Sequence, residues 1–191
     1  MKSVKLFLLI AWFTIAASGI GSAEEPAASK DKSAAFKFAD VEYFHRWTGG
    51  DQHEFTPAGQ EDLEKWTDMV TIWQYRDVKD GEALAKQSNL VLDRYKNHGG
   101  FVLRTNSVPR TKDAPAEHYI EIGFTRPTFR EIDFSRFKIY NGMGAAIVYS
   151  HRVYGDDARE KMQIWMAKNF FGGPEKILMK WDEMPKLDTL K

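Results

Sequence analysis

The sequence has 191 residues, with 27 Lys plus Arg balanced by 27 Asp plus Glu, and no cysteine. Without cysteine there are no disulfide staples, thiol nucleophiles, thiolate metal centres or thioether haem attachments. The charges are interspersed, and the basic stripe that nucleic-acid binding leaves is missing. Lys2 and Lys5 precede an apolar run from Leu6 to Ala17, and small residues follow to Gly21-Ser22-Ala23, before Glu24-Glu25-Pro26. This is the three-part pattern of a cleavable secretory signal, and the run is shorter than the about 20 apolar residues of a spanning helix. Residues 1–23 are therefore expected to be a signal peptide cut near Ala23. The remaining chain is expected to be periplasmic or secreted, with no stable membrane span and, lacking a cysteine at the cut, no lipid anchor.

Residues 24–35 are small and polar and read as a flexible lead-in. The stretch 36–191 is long enough to bury a core without staples and reads as a single domain. Phe36-Lys37-Phe38 and Val41 to Trp47 have strand composition. Trp66 to Tyr75, WTDMVTIWQY, is rich in β-branched and aromatic residues and reads as a central strand covered on both faces. Asp80 can cap a helix that His98-Gly99-Gly100 closes, with Leu84, Ser88, Val91, Leu92 and Tyr95 inward and Lys86, Asp93 and Lys96 in water.

Strands dominate after it. Phe101 to Thr105 is short. Tyr119 to Thr125 alternates with Ile120, Ile122 and Phe124 on one face, and Phe134 to Tyr140 sets Phe137 and Ile139 opposite Arg136 and Lys138. Asn141-Gly142 signals a hairpin into Ala145 to Tyr154, with Ile147, Tyr149 and Val153 on one face. A second helix runs from Asp156-Asp157 to about Phe171, burying Met162, Trp165, Met166 and Phe170, and ends at Gly172-Gly173-Pro174. A tail carrying Trp181 and Pro185 docks at its start. Helices separated by antiparallel strands predict an α+β sandwich with two principal helices.

Glu54-Phe55-Thr56-Pro57-x-Gly59-Gln60, followed by Trp66-Thr67-Asp68-Met69-Val70-Thr71, resembles a motif pair of small secreted bacterial proteins. The order of elements from Glu42 to Phe171 is similar to the PsbP-like α/β/α sandwich, a binding and assembly module. The resemblance implies that fold and carries no site residue with it.

Catalytic signatures fail one by one. His53-Glu54-Phe55-Thr56-Pro57 begins like H-E-x-x-H, but Pro57 stands where the second ligand must be. His45, His53, His98, His118 and His151 show no ligand spacing, although folding can assemble strand histidines such as His45 and His151. Gly142-Met143-Gly144 lacks the third glycine of a dinucleotide fingerprint and belongs to a hairpin. Glu61-Asp62 and Asp156-Asp157 read as helix-start charges, and Arg126 and Arg130 as solvated loop arginines able to meet an anion. Phe55, Pro57 and Trp66 either line a ligand groove or pin a loop to the sheet; the conformational restriction at Pro57 favours pinning, with His53 in no packing role. No catalytic, cofactor-binding or metal-ligating residue is assigned, and no cofactor is expected. The sequence thus predicts a secreted or periplasmic non-catalytic binding or accessory protein, acting on an envelope or extracellular partner or a small ligand. The alternative is an envelope-associated hydrolase whose site is assembled from scattered residues. A buried carboxylate or histidine with a shifted pKa in a deep pocket would favour the enzyme, and a large exposed aromatic patch would favour binding or assembly.

Overall fold

Side chains in the strands alternate between two apolar faces, so each face of the sheet needs its own cover. The computed structural model describes residues 34–169 and 180–185. Its strands are β1 (Phe36–Phe38), β2 (Val41–Gly49), β3 (Gln52–Pro57), β4 (Asp68–Tyr75), β5 (Gly100–Val108), β6 (Glu117–Thr125), β7 (Phe129–Tyr140) and β8 (Met143–Tyr154). They form one antiparallel sheet in the order β1-β2-β3-β4-β8-β7-β6-β5. Two four-stranded meanders thus meet through their last strands, β4 and β8. Helix α1 (Gly81–Asn97) carries the chain from the middle of the sheet to its far edge, and α2 (Ala158–Asn169) follows β8.

Each face has its own core. Leu84, Ile120, Ile122, Phe124, Phe137 and Ala146 pack with Val91, Leu92 and Tyr95 under α1. Phe55, Val70, Ile72, Ile132, Phe134, Ile147 and Tyr149 pack with Met162, Trp165 and Met166 of α2 and with Trp181. The expected α+β sandwich therefore forms, with a helix on both faces. Asp80 caps α1 by accepting from the Ala83 amide at 2.8 Å, and Gly99 leaves the helix at φ +78°. Leu84 is fully enclosed, whereas Val91 and Leu92 are half-buried. Two-residue turns with positive φ, Ala39-Asp40 and Asn141-Gly142, close the β1–β2 and β7–β8 hairpins.

Four details differ from the sequence expectation. The stretch Gln52–Pro57 is not a loop but a strand, buried at every position; His and Glu at 53 and 54 break the apolar pattern that marks strands in sequence. Trp66 lies just before β4 rather than on it. β5 and β7 are longer than expected, which puts Arg130 on β7. Glu61 and Asp62 start no helix: Glu61 accepts from the Gly59 amide and from Arg46, and Asp62 from the Glu64 amide. Phe170 and Gly172-Gly173-Pro174 lie outside the described residues.

Candidate functional site

The loop between β3 and β4 is held from three sides, and this accounts for the motif around it. A bulge between His45 and Trp47 leaves Arg46 without a β3 partner. Its guanidinium turns to Thr56 Oγ1 and the Pro57 carbonyl, both at 2.9 Å. Gln60 Oε1 accepts from the Thr67 and Asp68 amides at 2.8 and 2.9 Å. Tyr154 donates to the Trp66 carbonyl at 2.8 Å. Phe55 and Trp66 are buried, so these motif residues pin the loop to the sheet. His53 is buried too, and its Nδ1 meets Thr48 Oγ1 at 2.9 Å, so it does have a packing role.

Trp66 roofs a polar cluster on the α1 face. Arg152 lies over the rings of Trp66 and Phe129, at 3.9 and 4.4 Å from their centroids. Its Nε donates to Glu131, its direct cross-strand neighbour. One pair further along, Asp133 faces Ser150 and hydrogen-bonds to Ser150 and Glu131. Asp133 Oδ1 is buried and has no hydrogen-bond partner among the described residues. Burial, reinforced by the Glu131 charge, pushes the Asp133 carboxyl well above the usual range, so it keeps a proton. Burial works against the charge of Arg152, and the Glu131 carboxylate more than offsets it. Burial also raises the Tyr95 phenol, which meets Ser135 Oγ at 3.3 Å. A shallow cleft opens here, lined by Tyr95, Phe124, Arg126, Phe129, Glu131, Asp133 and Arg152. Arg126 donates to the His98 carbonyl at 2.7 Å and stacks on Phe124. Further along the same face, Glu54 accepts from Gln52 at 2.7 Å, and burial pushes its carboxyl up to about 7.

The opposite face carries a second polar group. Asp68 Oδ1 accepts from His151 Nδ1 at 2.9 Å and from the Tyr149 hydroxyl at 2.7 Å. Burial opposes the Asp68 charge, but these two donors outweigh it and hold the carboxyl below its usual value. The His151 ring stacks on Trp165 at 4.2 Å, and its Nε2 is buried with no partner among the described residues. The dyad orients an imidazole, but Ser150, next in sequence, points to the other face. Of the remaining histidines, His45 and His53 share Thr48, His98 bonds to the Arg94 carbonyl, and His118 meets Ser107. Among the described residues no three His, Asp or Glu side chains gather as a metal site.

The sequence reading named none of Tyr95, Glu131, Asp133, Ser150 and Arg152 as site residues. Parity was the available signal: 131 and 133 share the face of Phe137, and 152 that of Ala146.

A protein-family model matches residues 32–170, well over half of the chain. The chain belongs to that family. No curated protein matches the sequence. Similar solved structures include the Ran-binding protein Mog1p of Saccharomyces cerevisiae, at 11% identity over 71% of this chain and 77% of that one, with a TM-score of 0.42. A Mog1 point mutant gives 10% identity over 63% and 73%, with a TM-score of 0.41. Human STARD10 gives 10% identity over 74% of each chain, with a TM-score of 0.30. Likenesses this loose carry no functional argument.

Proposed function

We propose that this family member is an exported, non-catalytic binding protein that seats a small ligand between Tyr95, Phe124 and Phe129. The observation that carries the reading is the unpartnered Asp133 Oδ1 beside this pocket. A buried acceptor left unpaired costs about 1–3 kcal/mol, and a ligand N–H or O–H donated to it removes that cost. The aromatic walls supply the apolar contact usual in such sites. The proposed export rests on the N-terminal signal pattern, and a mature N-terminus near Glu24, read by mass spectrometry in a producing cell, would support it.

Phenol, benzamide and benzoate, titrated against labelled protein by NMR, test the pocket. Saturable shifts concentrated at Phe124, Phe129 and Asp133 are expected with phenol or benzamide, which carry a donor for Asp133, and weaker ones with benzoate, which carries none. Absence of saturable shifts with all three would refute the reading. A second reading has its own observation: the Glu131–Asp133 pair holds a proton beside the pocket, as a general acid would. The two differ at Asp133→Asn, which keeps an acceptor and so preserves probe binding, but would abolish any turnover that needs the proton.

A further inference from the structure

Edge strands expose unpaired main-chain groups, and proteins guard them with shortness, lysine, proline or bulges. The two edges of this sheet are guarded unequally. β1 has three residues and carries Lys37. β5 has nine, Gly100–Val108, with no proline or lysine, and no described strand lies against its outer side. Its single charge, Arg104, turns back to Glu121 on the neighbouring strand at 2.8 Å. Its one guard is a bulge, which leaves Leu103 without a β6 partner.

The first half of this edge is apolar. Phe101, Val102 and Leu103 are 51%, 40% and 38% exposed, and the Phe101 ring lies across Gly123, where a Cβ would stand 2.3 Å from it.

We infer that this edge pairs with the same edge of a second copy, antiparallel about a two-fold axis near Val102. Such an interface is self-complementary. The axis sets Phe101 of one copy against Leu103 of the other and Arg104 against Gly100, so no like charges meet. An axis at Arg104, the middle of the strand, would oppose two guanidinium groups, which is unfavourable. Without Lys2 and Lys5 of the expected signal the chain carries 25 basic against 27 acidic residues, a net charge of −2 that adds little long-range repulsion. The apolar patch, placed off-centre on the strand, selects the first register.

The native chain has no cysteine, so single cysteines report the geometry cleanly. Sedimentation velocity of the purified mature protein across the micromolar range is expected to show a dimer. Val102→Cys should cross-link to itself under mild oxidation, and Arg104→Cys and Ser107→Cys should not. Leu103→Lys should remove the dimer without altering the circular dichroism, and Val102→Lys, which would set two ammonium groups face to face at the axis, provides the same test if Leu103→Lys folds poorly. A monomer at every concentration would overturn the inference and leave the edge to a foreign strand. So would a dimer that survives both charge substitutions, or one that cross-links best at Arg104→Cys.

Discussion

Glu54→Gln isolates one carboxyl whose burial sets a pH dependence of stability. Glu54 is 8% exposed on β3, accepts from Gln52, and has its pKa raised by burial from 4.5 to about 7. A raised folded-state pKa means that folding favours the protonated form. Its contribution is intact below pH 4.5 and is lost as pH rises through about 7. Once both states are ionised, the displacement corresponds to about 3 kcal/mol. Gln keeps the acceptor for Gln52 and has no proton to lose. Urea melts at intervals from pH 4 to pH 8 should therefore show little difference between the proteins at the acid end, and a variant more stable by about 1–3 kcal/mol at the alkaline end. The substitution leaves the Glu131–Asp133 pair unchanged, so its contribution is the same in both proteins and cancels in the difference. A difference that stays flat, or that favours the wild type as pH rises, would show that Glu54 is hydrated or ion-paired and that the reasoning from burial is wrong.

Glu117 gives the opposite sign. Burial opposes its charge, but Arg136, Tyr119 and Lys138 hold its carboxyl down at about 2, so its contribution is present above pH 4.5 and is lost as pH falls toward 2. Glu117→Gln should remove about 2–3 kcal/mol at neutral pH and little at pH 2, read from urea melts extended down to pH 2. Trp66→Ala should cost about 3–5 kcal/mol, because it empties the roof over Arg152, while Lys96→Ala on the wet side of α1 should stay within about 0.5 kcal/mol. Leu84→Ala should cost about 2–5 kcal/mol, and the half-buried Leu92 less, as chemical denaturation of the two variants would show. His53→Ala should cost about 1–3 kcal/mol in the same assay, since it opens a buried site beside Thr48.

Sequence pattern disclosed those parts of the fold where one periodicity runs without conflict. The Ile120, Ile122 and Phe124 face, the Asn141-Gly142 hairpin and the Asp80 cap are all local: each depends on residues a few positions apart, and each forms as expected. β3 was hidden because Gln52, His53, Glu54 and Thr56 are polar residues at buried positions, made tolerable by partners on other elements that local pattern cannot reveal. The candidate site was hidden for the same reason. Glu131, Asp133 and Arg152 occupy the face that parity assigns to the core, and what makes polar residues possible there is their pairing across β7 and β8 under a tryptophan from a distant loop. Tyr95 belongs to the expected helix stripe, but its hydroxyl acquires a role only through Ser135 on the sheet.

The placement of β8 has a consequence for how the chain comes to be folded at all. The seam that joins the two meanders runs from Asp68 opposite His151 to Tyr75 opposite Gly144. It can close only after most of the polypeptide exists, and contacts so distant in sequence make for slow, late assembly. Until then the first four strands have one side of β4 unpaired and their apolar faces uncovered. A nascent chain in that condition stays threadable, which suits the passage across a membrane proposed for it. The same delay leaves open strands waiting for their neighbour, so a holding chaperone should matter more to its yield than to its final stability.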